Sequence, residues 1–535
     1  MQGSDTSVEG FPATKPEPTL TRRRLLVSAG VAATVFVTPR FGSRTARAGL
    51  RHGAELFQLG VASGDPLPDS VVLWTRLARN PLLGGDLPND PIPVRWELAR
   101  DEGFRSIVRS GEALARSELA HSVHVIPEGL EPARWYWYRF RAEGHESPVG
   151  RTRTAPGYGT SPARLRFAFA SCQDWQAGYW PAFSRMAEED LDLVVHLGDY
   201  IYEYGINHFG VRQHEAGEVG SLENYRNRHA LYKTDPALQA AHAAFPWIVT
   251  WDDHEVENNY AGAIEEVDIT EPAEPPAAFL ARRANAYRAY YEHLPLRPSS
   301  LPMGPNAAIY RRQPWGNLAD FSVLDTRQYR TDQPCGDGLK ARCAEALDPN
   351  ATMTGPEQER WLLEGLRISQ ARWNVIAQQT ILFEADFLAG PGQVFNMDQW
   401  DGYVAARNRL LSFLLNFRPS NPIVLTGDIH SSWVGDLKAD FANPGSATVG
   451  TEFVGTSVSS DFPTQFLAPV RAALADNPHI KFFDGIFRGY VRCELDASRW
   501  RSDFRVVPTV AVPDAPISTL ASFVVENGVP GAQRV

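Results

Sequence analysis

Five apolar runs in this chain stop at short blocks of polar, ion-binding side chains, and this repeated ending constrains the fold more than any other feature. Residues 165–170 lead into Ser171-Cys172-Gln173. Residues 191–197 lead into Gly198-Asp199-Tyr200, and 247–251 into Asp252-Asp253-His254-Glu255. Residues 321–324 lead into Asp325-Thr326-Arg327, and 423–426 into Gly427-Asp428-Ile429-His430. Short apolar runs bounded by turn signals read as strands buried on both faces, the habit of a mostly parallel sheet covered by helices. In such sheets the binding crevice forms outside the carboxyl ends of the strands. Residues far apart in sequence are therefore expected to converge.

The α/β texture runs from about residue 163 to 510, with helical patterns at 276–292 and 356–368 and later strands at 450–454 and 489–495. Before it, residues 56–155 carry short β-favouring runs such as 71–76, 94–98 and 135–140, separated by Gly-Asp-Pro and Pro-Glu-Gly turns. This is the pattern of a small all-β, immunoglobulin-like sandwich domain. Residues 154–162 read as a linker and 511–535 as a C-terminal tail.

Residues 1–48 read as a signal peptide. Thr21-Arg22-Arg23-Arg24-Leu25-Leu26 precedes a short apolar run, and Ala46-Arg47-Ala48 supplies a small-residue exit. The arginines resemble a twin-arginine export signal, which implies the Tat machinery as a partner and a periplasmic or extracellular address. The apolar run falls short of the ~20 residues that span a bilayer, and no stable membrane span is expected in the mature chain. The whole chain has 52 Lys+Arg against 63 Asp+Glu, a net charge of -11. Removing 1–48 takes away seven basic and three acidic residues and leaves a net of -15. That balance offers no evident nucleic-acid-binding surface. Four cysteines in 535 residues exclude a disulfide-built fold.

The strand ends and their neighbours would bring together Cys172, Asp199, Tyr202, Asp252, Asp253, His254, Asn259, Asp428 and His430. Several carboxylates in one pocket raise each other's pKa unless cations intervene. Thiolate, phenolate and imidazole suit a Lewis-acidic transition metal such as Fe(III). Asp and Asn oxygens suit Ca(II), Mn(II) or Mg(II).

Gly198-Asp199-x-x-Tyr202, Asp253-His254-Glu255 and Gly427-Asp428-Ile429-His430 resemble the ordered blocks of calcineurin-like metallophosphatases, and the Gly-Asp-x-x-Tyr form resembles purple acid phosphatases. The full versions, with Ser171-Cys172-Gln173 and Trp251-Asp252-Asp253-His254-Glu255, resemble the PhoD-like alkaline phosphatases across nearly the whole mature chain. The resemblance implies an α/β, metallophosphatase-type two-sheet core flanked by helices. It implies one iron and one or two calcium ions, with other divalent metals as alternatives. Cys172, Tyr202 and His430 would ligate Fe(III), with Asp199 bridging. Asp253 and Asp428 would serve Ca(II), joined by Asp252 if that residue does more than hold its loop. Asn259 would contact Ca(II) or phosphate, Arg228 would hold the phosphate, and His254 would protonate the leaving group or orient the phosphate. Asp at 253 and 428, where relatives often carry Asn and His, favours hard, oxygen-preferring ions and sets the chain apart from the acid optimum of the purple group.

The implied activity is hydrolysis of phosphomonoesters and phosphodiesters, with phosphate esters as substrates and phosphate scavenging as the role. The alternatives are a phospholipase D-like phosphodiesterase and a non-catalytic metal-binding exported or surface protein. Cys335 and Cys343 bracket a polar loop and read as a local disulfide rather than a metal site, Cys493 as inert core, and His196 as packing or as a group that orients its metal-binding neighbours. Asp325 reads as a structural ion pair or a ligand. Trp315, Tyr329, Trp400 and Tyr403 read as core or as a substrate entrance. Residues 205–223 and 262–280 are polar insertions placed to act as lids or as plain surface.

Overall fold

The computed structural model describes residues 56–215, 217–266 and 274–535. The expected signal peptide and part of the 262–280 insertion lie outside them. Two sheets form the centre. In the ten-stranded sheet, the strands Leu165–Ala170, Leu193–His196 and Pro246–Val249 run parallel and side by side, with Val61–Gly64 parallel to the last of them. In the seven-stranded sheet, Ala319–Val323, Trp373–Ala377, Pro422–Thr426 and Thr448–Val454 are consecutive and parallel. The central strands are buried along almost their whole length, which explains their unalternating apolar sequence.

Between the sheets lies a core in which Phe167, Phe169, Val195 and Leu197 of one meet Phe321, Val323, Val375 and Ile423 of the other. The outer face of the ten-stranded sheet is covered by the helices Pro181–Ala187, Leu222–Lys233, Pro236–Ala244 and Pro276–His293. The outer face of the seven-stranded sheet is covered chiefly by Gly355–Ile368 and Val404–Phe417. Local chemistry starts two of these helices. Ser221 Oγ accepts from Asn224 N at 3.2 Å, and Asp235 Oδ1 accepts from Ala237 N at 2.9 Å just ahead of Pro236. Among the described residues no helix is long and apolar enough to cross a membrane.

The all-β segment is present, and its strands divide between two sheets. Ile92–Ala99, Ile107–Ala115 and Trp135–Ala142 belong to a separate five-stranded sheet. Val61–Gly64, Val72–Arg76 and Ser122–Val125 extend the ten-stranded sheet. Val61, Leu73 and Val123 pack on Val94, Leu98, Tyr138 and Phe140, so one layer of the sandwich is continuous with the central sheet. The expected tail at 511–535 is corrected too. Ser518–Glu526 and Val529–Arg534 are the last two strands of the ten-stranded sheet, because Phe523, Val525 and Ala532 supply an apolar face to the inter-sheet core.

Candidate metal centre

The two sheets present their carboxyl ends to one crevice. Cys172, Asp199, Asp252 and Asp253 follow strands of the ten-stranded sheet, while Arg327, Asp428 and His430 follow strands of the seven-stranded one. These turns are backbone-constrained. Cys172, Asp199, Asn259, Asp428 and His430 have φ of 60°, 55°, 50°, 65° and 54°. Left-handed backbone in non-glycine residues is uncommon and gathers at functional sites. Gly198, at φ 116°, lies against Asp252, where a Cβ would come within 2.4 Å of the Asp252 Cβ. Glu255 ties two of the turns together by accepting from the backbone N–H of Asp199 (3.1 Å), Tyr200 (2.6 Å) and Asp252 (2.9 Å).

Three overlapping sets of ligand atoms lie within 4.8 Å of one another: Cys172, Asp199 and His430; Asp199, Asp253 and His254; and Asp252, Asp253 and Asp428. Tyr202 joins the first set. Its hydroxyl donates to Asp199 Oδ2 at 2.9 Å, accepts from Ser460 Oγ at 2.7 Å and lies 3.1 Å from His430 Nε2. His430 Nδ1 donates to the Asp461 carbonyl at 3.1 Å, which leaves the Nε2 lone pair facing Tyr202 and Asp199. Burial and the Asp199 charge push the Cys172 thiol and the Tyr202 phenol well up. Burial pulls His430 down to about 4. A cation would have to displace the first two protons and would find the imidazole already neutral.

The carboxylates divide by environment. Burial raises Asp199 well above the usual range, and raises Asp252 despite Arg327. Burial would also raise Asp253, but Arg327 and His254 more than reverse it. Among the described residues, Asp199 Oδ1, Asp252 Oδ2 and Asp253 Oδ1 are buried without a hydrogen-bond partner. Buried carboxylate oxygens without a hydrogen bond are costly. Three of them facing a thiol, a phenol and two imidazoles make a donor set that fits metal ions of two characters.

His254 Nδ1 donates to Glu203 Oε2 at 2.8 Å, and its ring lies 4.1 Å from that of Tyr202. Burial opposes a charge on His254, but Glu203, Asp253 and Asp199 outweigh it and raise the pKa well above the ordinary value. Asn259 donates its backbone N–H to Asp253 Oδ2 at 2.7 Å, and its Nδ2 lies 3.3 Å from Glu266 Oε1.

Arg228 requires a correction. It is 3% exposed, and its guanidinium donates to the carbonyls of Tyr202, Tyr204 (2.9 Å) and Gly217 (3.3 Å). It braces the loop after Asp199 and part of the 205–223 insertion, because helix Leu222–Lys233 points it inward at their backbone. The cation among the acids is Arg327, which is fully buried. Its Nε donates to Asp252 Oδ1 at 2.5 Å, Nη1 to Asp398 Oδ1 at 2.8 Å and Nη2 to Asp428 Oδ1 at 3.1 Å, with Asp253 Oδ1 at 3.5 Å. One oxygen of Asp252 is thus committed to Arg327 and the other is unpartnered.

Sequence reasoning assigned no role to Arg327, Asp398, Glu203, Glu255 or Ser460. The position of Arg327 at a strand end was the one available signal. Asp325 accepts from the backbone N–H of Arg327 and Gln328 and holds that turn. Cys335 and Cys343 form a disulfide, and Cys493 is buried core. His196 stacks on Trp247. Trp315, Trp400 and Tyr403 are buried, while Tyr329 is exposed.

Residues 167–504 match the family model of the PhoD-like phosphatase, and residues 44–156 match its N-terminal domain. The chain is 50% identical over 514 residues to alkaline phosphatase D of Bacillus subtilis, covering 95% of this chain and 87% of that protein. A solved structure of PhoD aligns with a TM-score of 0.86 at 51% identity, over 90% of this chain and 92% of that one. The purple acid phosphatase PPD1 from yellow lupin seeds shares the fold, with a TM-score of 0.53 at 13% identity, over 87% of this chain and 73% of the other.

Proposed function

The chain belongs to the PhoD-like phosphatases, and from that membership we propose an exported enzyme hydrolysing phosphomonoesters and phosphodiesters at a centre of iron(III) and calcium. It is a phosphoric ester hydrolase of PhoD type that depends on metal. The choice of metals, the residue roles and the export route are the proposal. The observation that carries it is the set of buried oxygens on Asp199, Asp252 and Asp253 that no hydrogen bond satisfies, set among the three ligand groups.

Cys172, Tyr202 and His430 would hold iron, with Asp199 shared, since the thiol, phenol and free imidazole nitrogen share one end of the cluster. Asp253, Asp428 and the open oxygen of Asp252 would hold calcium, with Asn259 at the edge. When bound, the metals supply Lewis acidity that activates water and neutralises phosphate oxygens. His254, kept protonated by Glu203, carries a proton beside the cluster for the departing oxygen. Arg327 keeps Asp252 and Asp428 in register. Arg228 is left to hold the loop of Tyr202. The arginine-led leader at 21–48 supports export, and phosphate scavenging outside the cytoplasm follows from that address.

Metal analysis of the purified mature protein, with its visible spectrum and its rates on p-nitrophenyl phosphate and bis-p-nitrophenyl phosphate, tests the reading. Iron, calcium and a charge-transfer band lost in Cys172→Ser and Tyr202→Phe are expected. A colourless, iron-free protein with full activity would sink the iron assignment. Undiminished activity in Asp199→Asn would sink the shared ligand.

A further inference from the structure

A second polar cluster lies in the helix layer of the ten-stranded sheet, apart from the metal ligands. His229 and Lys233 sit one turn apart on helix Leu222–Lys233 and therefore share a face. Lys233 is 2% exposed, and among the described residues it takes part in no ion pair. Its ammonium lies 4.3 Å from the Trp74 ring centroid and 5.6 Å from that of Tyr200, and burial holds its pKa well below the usual value.

Around the same Tyr200 ring stand His196, His242 and His229, with centroids 5.2, 5.9 and 6.2 Å away. All three imidazoles are buried. Neither nitrogen of His229 has a hydrogen-bond partner among the described residues, nor do His242 Nδ1, His196 Nε2 and the Tyr290 hydroxyl. The backbone N–H of Gly198 points at His196 Nδ1 at 3.4 Å, which puts the ring proton on Nε2. The Tyr290 ring is 6.0 Å from that of His229.

The cluster is therefore rich in N–H groups and holds a lysine that burial favours as the neutral amine unless an anion stands beside it. The buried carboxylates on flanking elements are already used. Glu255 takes three backbone N–H groups, and Glu292 takes Arg226 and Arg288. We propose that this cluster is a binding site for one monovalent halide-type anion, chloride, with Lys233 as counter-charge and His229 and His242 as N–H donors. Water would satisfy the imidazoles but offers Lys233 no counter-charge, so burial would leave the amine neutral, whereas an anion beside it lets the ammonium persist in the low-dielectric interior. The apolar walls of Trp74 and Trp247, the latter stacked on His242 at 3.9 Å, suit a weakly hydrated ion.

Bromide replaces chloride and scatters anomalously, so the test is a crystal of the full mature chain grown in sodium bromide and measured at the bromine edge. A single internal peak beside Lys233 and His229 is expected. An anomalous map without one, whether the position holds water or nothing, overturns the proposal. In solution, sodium chloride and bromide should raise the melting temperature above that in sodium gluconate at equal ionic strength, and Lys233→Met should abolish the difference. Identical melting in all three salts also overturns it. Should Lys233→Met not fold, the bromide map decides alone.

Discussion

Arg327 and Asp428 are the residues on which the electrostatics of the centre turn. Burial pushes Asp428 up to about 6 against the pull of Arg327, from an ordinary value of 3.8. A carboxyl whose pKa is raised by folding contributes stability below its unfolded pKa and loses it as pH rises through the folded one. The window is therefore about pH 4 to 6, and a shift of about two units is worth roughly 3 kcal/mol at most. Asp428→Asn removes this titration. In metal-free protein, urea unfolding should show the variant gaining on wild type between pH 4 and 7, and a difference constant with pH would contradict the assignment. His254 and Glu203 form the second instructive pair. His254→Ala should lower kcat by about 10²-fold or more, the ordinary worth of a positioned acid. Glu203→Gln should cost about 10–100-fold through His254 alone, and should move the alkaline limb of the pH–rate profile to lower pH, because Glu203 helps hold the proton on His254. An unmoved profile would make Glu203 merely structural.

At the scale of elements, the centre depends on how closely strand ends approach. Gly427 lies where a Cβ would be 2.6 Å from Ser171 Oγ and 2.8 Å from Ser171 Cβ. That contact joins the turn carrying Asp428 and His430 to the turn carrying Cys172, across the two sheets. Gly427→Ala should force the turns apart at a cost of about 1–3 kcal/mol. Bound metal should fall in the same preparation, and full metal content would show that the turns tolerate separation. The disulfide loop acts at this scale too. Gly338 accepts from Met397 N at 2.9 Å, and Leu339–Lys340 pairs with Phe395–Asn396, just ahead of Asp398 and Gln399. Gln399 Nε2 in turn donates to Asp428 Oδ2 at 2.6 Å. The runs ending at 170, 323 and 426 were legible because a both-faces-buried strand leaves an unbroken apolar run. The division of 56–155 between two sheets was not, because strand pairing partners are not written in local periodicity.

In the whole molecule, two sheets back to back between helical layers bring seven strand-end residues from 172 to 430 into one crevice. The last strands close this architecture. Truncation after Ala515 removes Phe523 and Val525, each worth about 1.5–3 kcal/mol of burial. It also exposes the edge of Arg499–Val507. The shortened chain should melt well below the full one and aggregate, and an unchanged melting temperature would return these residues to the status of a tail. The net charge of -11 offers no long-range attraction for phosphate esters, so capture falls to the local centre. The sequence by itself determined the strands, the ligand types at their ends and the metal chemistry those types allow, because periodicity and side-chain chemistry are local properties. Only the tertiary structure decided which arginine serves the acids. Arg327 reaches Asp252 across 75 residues and Asp428 across 101, while Arg228 turns to backbone carbonyls. A long, flexible cation finds its partner only after the sheets have set the distances.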